Sequence, residues 1–257
     1  MGEQVYTVVG LGELLWDMFP AGKKLGGAPL NFAYHCHQLG AQGCPVSAVG
    51  ADELGREVLG VVVSKDVSSQ YIAELADRPT GTVDVTLDGN GKPEYVIKEG
   101  VAWDFIPESG DLDLLARRAD AVCFGSLAQR SVVSRQTIAK FVSSMQPDSL
   151  KICDVNLRQQ FYTRDILQLS LGLCNLLKLS DEELPVVADM LEVSGSVEEQ
   201  LRAIIKQFDL RLVAYTRGPD GSLLVSPQQS DDHPGCPGKA VNSVGAGDSF
   251  TAALCMG

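Results

Sequence analysis

The stretch Val241–Phe250, VNSVGAGDSF, sets Gly245, Ala246 and Gly247, three residues with almost no side chain, directly before the carboxyl group of Asp248. Taken alone it reads as a loop entering a helix, with Asp248 a favourable acid in the first turn. It also has a chemical reading. Consecutive small residues leave backbone N–H groups open at a helix N-terminus, which makes a hole for an anion. An acid beside that hole can take the proton of a hydroxyl while the hole holds the phosphoryl group that the hydroxyl attacks. Phosphoryl transfer from a nucleotide to an alcohol needs this pairing, because positioning and charge stabilisation supply most of its catalysis. Further candidates are Gly12 to Asp17 with Asp17 foremost, the Gly26-Gly27 pair before Asn31, Gly50 to Asp52, Asp154-Asn156-Arg158 in DVNLR, Ser180 to Glu183 in LSDEEL, and Thr216, Gly218 and Gly221 in YTRGPDGSLL. Each has a plain alternative. Asp17 could sit on the wet side of a strand, Asn31 could be a first-turn helix residue, and Arg158 could hold a loop by a salt bridge. Ser180 and Glu183 fit a capping box, and Thr216–Gly221 a strand-connecting turn. Among the cations Arg158 is the best candidate to face a phosphate or sugar.

Short apolar runs alternate with helical patterns along most of the chain. VYTVVG (5–10) precedes APLNFAYHCHQLG (28–40), where Pro29 and Gly40 mark a helix start and stop and Phe32, Ala33, Cys36 and Leu39 form one apolar face. VSAVG precedes DELGREVLGVVV, AVCFG precedes SVVSRQTIAKFVSSM, KICDV precedes a helix near 163–173, and NLLKL precedes DEELPVVADML. Strand then helix, repeated, predicts an α/β fold: a Rossmann-like, mostly parallel sheet covered by helices on both faces. Ligands of such sheets bind beyond the carboxyl ends of the strands, where the candidates mostly fall. One region breaks the rhythm. Residues 81–100 alternate Val83, Val85 and Leu87 with Asp84 and Thr86 and turn at Asp88-Gly89-Asn90-Gly91, which predicts a hairpin with one wet face. Paired with the extended segment 14–27, it would form a small β-sheet over one edge. The expected division is a main α/β domain of residues 1–13, 28–80 and 104–257, and a β lid of 14–27 and 81–103.

A chain of 257 residues, 45% of them hydrophobic, can bury one principal core. Its net charge of −12 opposes a general nucleic-acid surface, so an anionic ligand would need a local site of backbone N–H groups and a few basic residues. The seven cysteines are odd in number, widely spaced and without a C-x-x-C pair, and predict reduced core thiols in a cytoplasmic protein. No apolar run reaches the roughly 18 residues of a membrane span, and the start carries no basic region before an apolar block; no membrane partner is expected. His35 and His37, two apart on a helix, are poor metal partners. Gly10-Leu11-Gly12 opposes a nicotinamide fingerprint, because the third glycine of G-x-G-x-x-G would fall at Leu15.

Several of these motifs in this order resemble the ribokinase-like (phosphofructokinase-B type) carbohydrate kinases. The family signature D-T-x-G-A-G-D is matched by Asn242-Ser243-Val244-Gly245-Ala246-Gly247-Asp248, and its N-terminal signature by Gly26-Gly27-Ala28-Pro29-Leu30-Asn31 and AVGADELGREVL. The resemblance spans the chain and is closest to bacterial fructokinases, through GELLWD, GGAPLNFAYH, TGTVDVTLD and EGVAWDFI. It implies that Asp248 is the catalytic base and that the N–H groups from Val244 to Gly247 form the anion hole. Asp17, Gly27 and Asn31 would hold sugar hydroxyls, with Arg158 on the substrate side. Thr216, Gly218 and Gly221 would stand beside the nucleotide phosphates, and Glu183, from the family's N-x-x-E, would organise Mg2+ and its waters. Trp103 and Phe105 read as core or lid-hinge aromatics, with Trp103 alternatively shielding the sugar. The partners implied are a small sugar and ATP, with the lid as the surface through which a homodimer could form.

The activity so implied is ATP-dependent phosphorylation of a primary hydroxyl, with D-fructose giving fructose 6-phosphate. The alternatives are a kinase of 2-keto-3-deoxygluconate or ribose, and a kinase-like regulatory protein that binds sugar or nucleotide without turnover. Three departures qualify the match. Ser180 replaces the motif Asn, Asn242 replaces the signature's leading acid so that potassium is not implied, and family members continue past G-A-G-D, so a further C-terminal portion completing the nucleotide pocket is expected.

Overall fold

The structure is a computed structural model that describes residues 5–87, 93–236, 238 and 244–257. In chain order its elements are β1 (Thr7–Leu11), β2 (Leu15–Phe19), β3 (Gly22–Gly26), α1 (Ala28–Gln38), β4 (Gln42–Gly50), α2 (Glu53–Ser64), β5 (Ile72–Leu75), β6 (Gly81–Leu87) and β7 (Pro93–Ile97). There follow α3 (Gly110–Arg118), β8 (Ala121–Phe124), α4 (Val132–Ser144), β9 (Leu150–Asp154), α5 (Arg164–Leu173), β10 (Leu176–Ser180), α6 (Leu184–Leu191), α7 (Val197–Phe208), β11 (Leu212–Thr216), β12 (Ser222–Val225), β13 (Ser230–His233) and α8 (Ala246–Met256). The turn at Asp88–Gly91 and the signature residues Asn242 and Ser243 lie outside the described residues.

The expected mostly parallel sheet is present, with nine strands in the order β13-β12-β11-β10-β9-β8-β1-β4-β5. All pairings from β5 to β11 are parallel, and only β12 and β13 run antiparallel at one edge. Alternation along the strands divides the core. Val9, Leu11, Val122, Phe124, Cys153, Leu177 and Leu179 face α3 to α7, whereas Val8, Cys123, Ile152 and Leu176 face Phe32 and Cys36 of α1 and Ala252 of α8. Helices therefore cover both faces, as buried parallel strands require. The chain runs outward from β1 to β4 and β5, then returns to the other side of β1 at β8. This reversal leaves a crevice at the carboxyl ends of β1 and β8.

The segments 14–27 and 81–100 do come together, as a separate sheet ordered β3-β2-β6-β7. Its pairing is mixed: β2 lies parallel to β6, while β3 and β7 are antiparallel additions. Val83 and Val85 are buried in the main core, which gives β6 its dry face. After β7 the chain forms a short 3-10 helix, Ala102–Phe105, in which Trp103 is fully buried. Trp103 is thus a core aromatic and not a shield for a ligand. Two further expectations need correction. Leu39, placed on the apolar face of α1, is 54% exposed because the helix ends at Gln38, and two of the seven thiols, Cys236 and Cys255, are not buried.

α1 rests directly on β1 because Gly10 has no side chain: a β-carbon there would lie 1.9 Å from the Pro29 carbonyl oxygen, a backbone atom. Gly10→Ala should lower stability by about 1–3 kcal/mol, the usual cost of forcing a methyl into a packed core, measured as a reduced urea midpoint with unchanged slope. An unchanged midpoint would show that the helix does not sit on β1 at this point.

Candidate active site

α8 begins at Gly245, whose φ of +79° is a left-handed conformation suited to glycine, and Asp248 occupies its first turn. Asn31, in the first turn of α1, donates from Nδ2 to Asp248 Oδ2 at 2.8 Å. Residues 217 apart in sequence are joined because α1 and α8 pack side by side on one face of the sheet. Burial pushes the Asp248 carboxyl above its usual range, while the Asn31 hydrogen bond and the charges of Lys178, Arg158 and His35 pull it back. Asp248, Asp154, Asn156 and Thr251 line a small cleft with Ala28, Pro29, Cys123 and Gly125 at the β1/β8 crevice.

The other residues expected to hold sugar lie as follows in the fold. Asp17, half-buried on β2, turns its Oδ2 toward the backbone of Gly26, where a β-carbon would lie 2.8 Å away. Gly27 is the residue before α1, with φ of +120°, and a β-carbon there would meet the Glu13 carbonyl oxygen at 2.4 Å. Arg158 is exposed and donates from Nη1 to the Leu157 carbonyl at 3.1 Å. Among the described residues it makes no ion pair. Its charge nevertheless pulls the carboxyls of Glu13, Asp17 and Asp248 down, in each case against the larger effect of burial.

Asp154 closes β9 and is 5% exposed. Its Oδ1 accepts from Lys178 Nζ at 3.1 Å and its Oδ2 from Thr251 Oγ1 at 3.1 Å. Burial raises its pKa to about 6 against the pull of Lys178. Ser180 and Glu183 make the reciprocal bonds of a capping box, Ser180 N–H to Glu183 Oε2 at 2.8 Å and Glu183 N–H to Ser180 Oγ at 3.3 Å. Glu183 does more than cap, since its Oε1 accepts from Leu157 N–H at 2.9 Å and so ties the DVNLR loop to the end of β10. Both its oxygens are engaged by amides, and among the described residues no group of three or more acidic, histidine or cysteine side chains could hold a metal.

Thr216, Gly218 and Gly221 form the turn from β11 to β12, two strands from β9, with φ of +54° at Gly218 and +86° at Gly221. Thr216 Oγ1 bonds the Leu179 carbonyl at 3.4 Å. Arg217 is committed elsewhere, to both carboxylate oxygens of Asp232. The Gly50 to Asp52 segment is structural: Asp52 caps α2 through Gly55 N–H at 2.8 Å and holds Thr80 through 2.6 and 2.8 Å bonds.

Two buried ionisable residues escaped the motifs. Lys178 stands in the middle of the apolar run NLLKL, and Glu13 follows Gly12 in GELLWD. For Lys178 a lone charge inside an otherwise apolar strand was the available signal, since such a residue is rarely buried without a partner. Glu13 is 3% exposed; its Oε1 accepts from Ala28 N–H at 3.3 Å, and its Oε2 has no hydrogen-bond partner. Burial raises its pKa to about 7, with its own backbone N–H and Arg158 opposing and Asp248 reinforcing. The folded protein therefore holds this proton more tightly than the unfolded chain, and the stability it contributes is present below about 4.5 and lost as pH rises to about 7. Glu13→Gln mimics the protonated acid. Thermal melts should show the variant matching the parent near pH 4.5 and exceeding it at pH 8, and equal pH dependence in both would contradict the buried proton.

Comparison with known proteins identifies the family and the fold. Residues 12–257 match the model of the pfkB family carbohydrate kinases. The chain is 29% identical to a putative sugar kinase of Pyrococcus horikoshii over 97% of this chain and 82% of the relative, and 28% identical to the fructokinase of Klebsiella pneumoniae over 96% and 82%. The crystal structure of apo fructokinase from Vibrio cholerae superposes with a TM-score of 0.85 at 25% identity, covering 98% of this chain and 89% of that one. The Pyrococcus horikoshii sugar kinase, crystallised in complex with ATP, gives 0.79 at 26% identity, covering 98% and 83%. The chain belongs to the pfkB family and is a carbohydrate kinase.

Proposed function

We propose that the protein transfers the γ-phosphoryl group of ATP to the primary hydroxyl of D-fructose, giving fructose 6-phosphate. The observation that carries this reading is the Asn31–Asp248 contact at the β1/β8 crevice, which sets a sugar-binding type of side chain against a half-buried carboxylate at a helix N-terminus. Asp17, the Gly27 backbone, Asn31 and Arg158 hold the sugar hydroxyls. Asp248 accepts the hydroxyl proton, the oxygen bonds to the γ-phosphorus, and the bond from phosphorus to the ADP oxygen breaks. The N–H groups of Gly245, Ala246 and Gly247 take up the charge on the transferring group, as the positive end of α8 favours. Thr216, Gly218 and Gly221 flank the nucleotide phosphates. Magnesium bound with the nucleotide would neutralise phosphate charge, and Glu183, its oxygens held by two amides, would help to organise it and its waters.

The choice of fructose rests on the fructokinases among the relatives. The sheet β3-β2-β6-β7 serves as a lid that excludes water competing for the phosphoryl group, with residues 14–27 and 81–103 as the lid, 1–13, 28–80 and 104–257 as the kinase domain, and the lid as the surface for any homodimer. No helix among the described residues is long and apolar enough to cross a membrane, and seven free thiols support a cytoplasmic setting.

Two measurements test the proposal. With a panel of sugars, D-fructose should give the highest kcat/KM; a preference of about tenfold or more for ribose or 2-keto-3-deoxygluconate, well within what one altered contact can produce, would replace fructose, and no turnover of any sugar would favour a binding protein. Asp248→Asn should fold and bind sugar while kcat falls by about 10²–10⁴, the usual cost of losing a general base. A residue acting only on the helix end would cost about 0.3–1 kcal/mol of stability and leave kcat near the parent value.

A further inference from the structure

Lys178 is a buried ammonium whose surroundings single it out. On β10 it shares its face with Leu176, which packs against Ala252 of α8. Its Nζ bonds Asp154 at 3.1 Å, and the hydroxyl of Thr251 of α8 shares its one proton between Asp154 Oδ2 at 3.1 Å and the Gly247 carbonyl at 2.9 Å. A β-carbon on Gly247 would lie 3.1 Å from the same Nζ and 3.9 Å from the Lys178 Cε. Gly247 has no positive φ, so its backbone places no demand for glycine. What the position demands is room for the ammonium beneath it.

We propose that Lys178 is a positioning residue for Asp248: anchored on Asp154, its ammonium occupies the space left by the missing side chain of Gly247 and fixes the Gly247–Asp248 corner from below. This rests on the reading of Asp248 as the base. The groups facing Asp248 are Asn31 and His35 of α1, Lys178 of β10, Arg158 of the loop after β9, Asp154 of β9, Glu13 after β1 and Cys123 of β8. Of the cations only Lys178 is buried, so solvent screens it least. It favours the ionised form of Asp248, as an adjacent opposite charge does. Lys178 itself is drawn down by burial and, more strongly, held protonated by Asp154 and Glu183, with Asp248 adding to the effect.

The test is a double-mutant cycle in the full protein, with Gly247→Ala, Lys178→Met and the pair, and Asp248→Asn as reference. Methionine lacks the atom that a β-carbon at 247 would meet. Gly247→Ala alone should lower kcat about tenfold to a hundredfold, the scale of a small misplacement of reacting groups, with sugar KM little changed. In the Lys178→Met background the same substitution should change kcat by less than about twofold, the margin within which effects of separated sites add. The acid limb of the kcat profile should move to higher pH in Lys178→Met, because the ammonium that favours the ionised form of Asp248 is lost. Effects that multiply, or an unmoved acid limb, would overturn the role of Lys178. Should Lys178→Met fail to fold, Gly247→Ala alone decides: its β-carbon displaces the ammonium, so its acid limb should rise, and an unmoved limb with near-parent kcat overturns the proposal. Activity retained by Asp248→Asn would instead remove the base reading on which the proposal stands.

Discussion

The ion pair between Lys178 and Asp154, 3.1 Å across and largely out of water, permits the gathering of acids at one end of the sheet. Asp154, Glu183 and Asp248 approach from β9, the turn after β10 and α8, in a chain whose net charge is −12. Without the pair, Asp154 and Asp248 would take up protons more readily, since burial raises both and Lys178 pulls both back. A buried charge pair adds little net stability, yet removing one partner is costly. Its value lies in geometry. Through Thr251 the pair binds α8 to the sheet, so the helix that carries Asp248 cannot shift without breaking it.

A second constraint acts from the other side. α1 sits on the bare backbone of Gly10 and carries Asn31 to Asp248, so both partners in the 2.8 Å contact are referred to the same sheet. The small sheet is fastened at its root as well. Arg130 lies between the rings of Trp103 and Phe161, 4.1 and 4.5 Å from their centroids, and its guanidinium bonds both oxygens of Asp104. Any closure of β2 and β6 over a ligand must therefore bend above a fixed base.

Much of this was legible in the sequence because buried parallel strands are written as unbroken apolar runs. AVCF and KICD announce β8 and β9 without ambiguity. The same logic explains what was not legible. β5, Ile72–Leu75, is an edge strand of four residues, too short to show a period, and β13 is Ser-Asp-Asp-His, all exposed and held by backbone pairing to β12. No periodicity marks such strands. In the site, Asp248 and Asn31 stand in glycine-rich motifs that a local reading can find. Glu13 and Lys178 are marked only as charges beside apolar runs, and what they do is not legible locally, because their partners Ala28 and Asp154 are distant in sequence and meet them only in the folded sheet.

The most direct test is a crystal structure with D-fructose and a non-hydrolysable ATP analogue. The account predicts the primary hydroxyl oxygen within about 3 Å of the Asp248 carboxylate, as a general base requires, with the terminal phosphate on the first turn of α8. A sugar whose primary hydroxyl lies against Asp17 or Asp154 instead, with Asp248 still bound only to Asn31, would contradict it.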